Sequence, residues 1–206
     1  MTTQAGRYRA SDDSVLTSSP RLSDLVEWLT QLHAIVELDD ALDATRRRML
    51  WFARQHDDAL ERTCADGHFT GSALVVDATA TRTLVMFHRK LQRWLQPGGH
   101  ADGDANLAAV ALKEATEETG IAGLRVDLRP IDLDIHEVAP PKEDPHLHLD
   151  VRFLVVAPED AVEQGNHESE ALRWVTVDEL AELGVDAGTV RLAEAGFARA
   201  RGGGLS

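Results

Sequence analysis

Between Pro97 and Ile121 a glycine-rich loop runs straight into a helical pattern, and this junction restricts the chain more than any other stretch. Ala108, Ala111, Leu112 and Ala115 recur at spacings of three and four, which makes one apolar, buried stripe. Asp104 is the expected N-cap, and Gly120 is suited to end the helix in a left-handed conformation. Glu114, Glu117 and Glu118 then fall together on another side, roughly 115° from the stripe. Like charges at i, i+4 repel, so something positive should sit among them. Carboxylates alone favour hard ions such as Mg²⁺ or Mn²⁺. Three Glu on a polar helix face are commonly just solvated, but the Gly98-Gly99 pair and the acidic loop carrying Asp102 and Asp104 shift the balance toward a site.

The rest of the chain reads as a helical preface followed by a mixed domain. Residues 1–20 are polar and rich in Ser, Thr and Asp, which predicts a flexible tail. Arg21–Val36 and Asp39–Arg62 carry apolar residues at helical spacing, the second through Leu42, Met49, Trp51, Phe52 and Leu60, and form a helical segment over 21–64. Short β-type runs follow at His68–Val76 and Thr83–His88. Beyond the acidic helix come Leu124–Val138, a proline-rich turn at Pro140–Pro145, a strand at His146–Val156, and a short strand at Trp174–Val177. The last leads into a helix near Asp178–Leu183, with Asp178 as N-cap. Residues 201–206 read as a flexible glycine-rich tail.

Gly99, five residues, Ala105, seven residues and then Lys-Glu-Ala-Thr-Glu-Glu-Thr-Gly-Ile over 113–121 resembles the Nudix box. Two positions depart from the pattern: Ala105 stands where the family has Glu, and Lys113 where it has Arg. Because those two mainly hold loop to helix, their joint loss reads as a paired structural change. The resemblance covers residues 65–200. It implies an α+β fold, a Nudix-type α/β/α sandwich with a mixed β-sheet preceded by the N-terminal helical extension. It further implies a diphosphate hydrolase in which Glu114, Glu117 and Glu118 ligate Mg²⁺ or Mn²⁺ and take part in catalysis. The family often draws an additional acid from the loop before the last strand, where this chain offers Glu168 and Glu170. Gly98 and Gly99 form the box loop. The substrate would be a nucleoside-diphosphate-linked or related small diphosphate, with its remaining group open.

A second pattern lies in His146-Leu147-His148-Leu149-Asp150-Val151-Arg152-Phe153, where polar and apolar residues alternate to opposite faces. Ile131–His136 does the same. Paired as a hairpin, the two runs gather several His and Asp on one surface, joined by Asp150 and Arg152. A solvated sheet face explains such alternation, yet imidazoles and carboxylates in reach of one another also suit Zn²⁺, Mn²⁺ or Fe²⁺. The His pattern is similar in part to isopentenyl-diphosphate isomerase, a Nudix relative, at His68, at Gly99-His100, and at His146 and His148. The isomerase carries a catalytic Cys before its Gly-His, and this chain has Gly98 there. His68, His100, His146, His148 and Asp150 are therefore candidates for an accessory metal or phosphate site, with a second, His-bound transition metal as its content. Isomerase chemistry ranks below hydrolysis, and a non-catalytic Nudix domain that binds a metabolite is the other alternative.

Basic residues offer fewer leads. Arg89, Lys90 and Arg152 are candidate substrate contacts by charge, and Trp94 reads as a packing anchor more readily than as a base-stacking platform. With 21 Lys and Arg against 35 Asp and Glu the formal charge is −14, the wrong sign for an extended nucleic-acid surface. The partner is expected to be a small molecule. A lone cysteine, Cys64, excludes a disulfide framework. No run approaches the roughly 18 apolar residues of a membrane span, so a cytoplasmic protein without membrane contact is expected. The N-terminal helices are candidates for homodimerisation or for covering the cleft.

Overall fold

The computed structural model describes residues 7–140, 143–185 and 187–203. Its elements are β1 (Tyr8–Arg9), α1 (Leu22–Ile35), α2 (Asp40–Gln55), β2 (Gly67–Val76), β3 (Thr83–His88), β4 (Arg93–Leu95) and β5 (Gly98–His100). Then follow α3 (Leu107–Thr119), β6 (Arg125–Val138), β7 (His146–Val156), β8 (Ser169–Val175), α4 (Val177–Glu182) and α5 (Ala187–Gly203). The sheet runs β1-β6-β7-β2-β3-β4, with β5 also on β2 and β8 on β3. Only β2 and β7 are parallel among the described pairings. This is the expected mixed sheet.

Strand alternation decides the layers, because successive side chains point to opposite faces. Phe69, Ala73 and Val75 of β2 and Val151, Phe153 and Val155 of β7 meet Leu25, Leu29 and Leu32 of α1, Met49 and Phe52 of α2, and the Ala108–Ala115 stripe of α3 in one core. Leu74, Val76, Leu154 and Val156 point the other way, onto Leu180 of α4 and Leu192, Ala193 and Phe197 of α5. The result is an α/β/α sandwich. The second core fills only one end of its face. At the other end, inward positions carry His68, Thr70, Ser72, His146, Asp150 and Arg152, all buried.

Several expectations are corrected. Residues 7–20 are not a tail: Tyr8–Arg9 pairs with β6, Ser14–Leu16 is a 3₁₀ turn, and Arg7 Nε donates to buried Asp127 at 2.6 Å; residues 1–6 lie outside the described residues. The second helix stops at Gln55 rather than Arg62, since residues 59 and 60 turn their carbonyls to the amides of Phe69 and Gly103 instead. Trp51, placed on its apolar stripe by periodicity, is 63% exposed. Asn106, not Asp104, caps α3 through Ala109 N; the Asp104 carboxylate accepts from the amides of Asn106 and Ser19. Thr176, not Asp178, caps α4, in a reciprocal box with Glu179. α5 continues to Gly203 into what reads as a tail, and residues 204–206 lie outside the described residues. Of the proline-rich turn, residues 141 and 142 do so as well.

Candidate active site

Strand β5 positions the acidic helix. It pairs antiparallel with β2, Gly98 opposite Ser72, Gly99 opposite Gly71 and His100 opposite Thr70. A side chain at Gly99 would overlap the Glu114 carboxyl, so the loop approaches α3 only because that residue is glycine. Gly98 N donates to Glu118 Oε2 at 3.0 Å. Gly120 ends α3 at φ +66°, as expected.

The three acids sit at three depths. Glu118 is buried, Glu114 half-buried and Glu117 exposed. Burial first, then the neighbouring Glu114, Glu168 and Glu117 charges, push the Glu118 carboxyl up to about 8 against the opposing Gly98 hydrogen bond. Burial and the Glu117 and Asp102 charges raise Glu114 as well, Lys113 opposing. Lys113 Nζ lies 3.4 Å from Glu114 and 3.9 Å from Glu117. It therefore supplies one positive charge at the solvent edge, and among the described residues no cation pairs with the buried Glu118. Carboxylates driven toward the neutral form in this way are a ready seat for a divalent ion.

The missing Glu–Arg pair of the box is replaced from outside it. Ala105 N donates to the Ser19 carbonyl at 2.7 Å, and Asn106 Nδ2 donates to the carbonyls of Val15 and Thr17. On the other flank Arg62 and Asp102 form a two-pronged pair at 2.6 and 2.7 Å. Arg62 is also close enough to Glu114 and Glu143 for their charges to raise its pKa. Sequence reasoning missed it, because nothing local marks an arginine 40 positions before its partner.

Among the other candidates, Glu168 lies near enough to influence Glu118, whereas Glu170 accepts from Gln92 Nε2 on the β8 side. Arg89 is exposed and commits two donors to the chain, its Nε and Nη2 holding the carbonyls of His167 and Ser169. Lys90 is exposed in the β3–β4 turn. Trp94 meets Phe87 edge-on with centroids 5.4 Å apart, a packing role. Arg152 is buried between Asp150 at 2.7 Å, Asp134 at 2.8 Å and Asp132 at 2.9 Å. Burial opposes its charge, but the three carboxylates override this and hold its pKa high. One cation among three anions repels phosphate, so Arg152 is corrected to a structural role. Asp150 is likewise withdrawn as a ligand: Oδ1 accepts from Thr70 and Ser72, and Oδ2 from Arg152.

The histidines do converge. His68 and His148 face each other across β2 and β7, and His136 faces His148 across β6. His68 is 4.8 Å from His100, 4.9 Å from His146 and 5.0 Å from His148, centroid to centroid. Desolvation first, then repulsion by other rings or Arg62, lowers His100 to about 4 and His148 to about 3. Those two rings are neutral at neutral pH.

An α/β/α domain with an acidic helix seated under a two-glycine strand is the class that fold and site define. The chain belongs to the Nudix family: the NUDIX domain model matches residues 67–194. Among solved structures, an Ap4A hydrolase binary complex from C. elegans is 18% identical, with 65% of this chain and 98% of that chain covered at a TM-score of 0.51. A NUDIX-family hydrolase from Clostridium perfringens is 20% identical, covering 64% and 97% at 0.50. A NUDIX hydrolase from Alicyclobacillus acidocaldarius is 18% identical, covering 66% and 93% at 0.50. At such identities the likeness is one of fold. No curated protein matches the chain.

Proposed function

We propose that this protein hydrolyses the diphosphate linkage of a small, nucleoside-diphosphate-linked or related substrate by attack of water on phosphorus. Glu114, Glu117 and Glu118 would hold Mg²⁺ or Mn²⁺. The observation that carries the reading is Glu118, a buried carboxyl with Gly98 N–H as its hydrogen-bond donor and other carboxylates around it. A bound divalent ion supplies charge neutralisation for the diphosphate and acidifies water. The chain's own residues do the rest. Gly98 N–H orients Glu118, Gly99 leaves room for the Glu114 carboxyl, and Glu168 or Glu118 itself would accept a proton.

Isomerase chemistry is disfavoured by the same strand. A side chain at Gly98 would stand 2.5 Å from Ser72 Oγ, so the place of the isomerase thiol is filled by β2. The intact acidic set disfavours a domain that only binds a metabolite. A panel of nucleoside triphosphates, nucleoside diphosphate sugars, dinucleotides and inositol polyphosphates, assayed with Mg²⁺ and with Mn²⁺, tests the reading. Metal-dependent release of phosphate or monophosphate, lost in Glu117→Gln, is expected. Tight binding of a panel member without turnover under either metal would replace it with the binding role.

A further inference from the structure

The acids of α3 leave unexplained the five histidines collected beyond β5, and the strongest anomaly is His68. It is 1% exposed, and neither Nδ1 nor Nε2 has a hydrogen-bond partner among the described residues. A neutral imidazole has one donor and one acceptor, and leaving both dry inside a protein is costly. Thr70 and Ser72 on the same strand have their partners in Asp150, so the defect is local to the histidine.

Its neighbours are arranged as though to share something with it. Ligand nitrogens of His68, His146 and His148 lie within 4.8 Å of one another. His146 donates from Nδ1 to the Asp144 carbonyl at 2.9 Å, which fixes the tautomer and leaves Nε2 with its lone pair. His136, beside His148 at 5.6 Å between centroids, has Nδ1 on Asp134 Oδ2 at 2.8 Å. An acceptor behind the ring is the usual way in which a ligating histidine is oriented. A tetrahedral ion with Zn–N bonds of about 2.0–2.1 Å holds its ligand atoms roughly 3.4 Å apart, so the three rings need only close inward by about an ångström.

We propose that His68, His146 and His148 bind one borderline transition-metal ion, Zn²⁺ or Fe²⁺ in class, with a fourth position left open toward solvent. The donor set is nitrogen alone, since Asp150 is committed to Thr70, Ser72 and Arg152. Imidazole selects against Mg²⁺, so this centre and the carboxylate site differ in the hardness of the ion they take. His100 stays in ring contact with His68 and His148 and closes the cluster toward β5. His136 is exposed and gives the ion its entry.

The test uses the full chain, stripped of metal and titrated with Co²⁺ in excess Mg²⁺. One equivalent should bind with the visible absorption of a nitrogen-ligated, low-coordinate ion, and Zn²⁺ should displace it. Uptake should weaken at least tenfold in His146→Gln and in His148→Gln, and persist in Glu117→Gln. Should those histidine variants fail to fold, ring ¹⁵N shifts of the wild-type chain serve instead, and Zn²⁺ but not Mg²⁺ should move those of His68, His146 and His148. No uptake beyond that of Mg²⁺, or uptake that Glu117→Gln abolishes while His148→Gln leaves it intact, would overturn the proposal. Because the readout is binding, a failed hydrolysis screen does not bear on it.

Discussion

Glu118 is where burial and charge conflict most directly. A carboxyl whose pKa rises from 4.5 when unfolded to about 8 in the fold binds more protons folded than unfolded. Metal-free stability should therefore fall as pH climbs between those two values. Thermal unfolding in chelator across that interval is expected to show this decline, and Glu118→Gln should flatten it. If the proposed function holds, ion uptake would displace the same proton, so Mn²⁺ affinity should rise over the same range, measurable by calorimetry. Arg152 conflicts in the opposite sense. Removing it leaves Asp132, Asp134 and Asp150 facing one another without a cation, and Arg152→Met should cost about 3–5 kcal/mol in denaturant unfolding.

The legibility of the elements followed how local their causes are. β3 and β7 match their sequence bounds because alternation is written residue by residue, and Gly120 is placed by its own left-handed conformation. The start of α4 is ambiguous in sequence because its determinants compete: Thr176 and Asp178 are both good caps, and only the reciprocal bond of Glu179 decides between them; the end of α2 is set by bonds from Phe69 and Gly103, which the sequence does not mark. α5 carries a weak signal, as Ala193 and Ala200 stand between and beside the larger Leu192 and Phe197 on its buried face and Gly196 interrupts the pattern. At the candidate site the box acids and most of the histidine cluster were readable from spacing. Arg62 was not, since its partner Asp102 sits in a turn 40 positions on, nor were the roles of Asp150 and Arg152, which depend on register between strands far apart in the chain. One helix end offers a clean measurement. Asn106 caps α3 and also anchors the carbonyls of Val15 and Thr17, so Asn106→Ala should lose more than the roughly 1 kcal/mol of an isolated cap. Asn106→Asp, which keeps the cap but not the amide donors, should recover only part of it.

Across the whole molecule, residues 7–66, ahead of the family match, are built into the domain. Ser19 holds the amide and side chain of the box loop at residues 105 and 104, and Arg7 joins Arg129 and Arg199 on Asp127. Deleting residues 1–20 should lower the melting temperature by several degrees and weaken Mn²⁺ uptake, read by circular dichroism and calorimetry. A chain in which these residues were an unattached leader would show neither change.

Gly98, Gly99 and His100 are consecutive, and each serves a different neighbour: the Glu118 carboxyl, the Glu114 side chain and the histidine group. Inserting or deleting one residue there would turn every side chain of the strand to the opposite face. Helix acids and imidazoles would be disconnected in the same event, so this three-residue segment has a fixed length as well as a fixed composition.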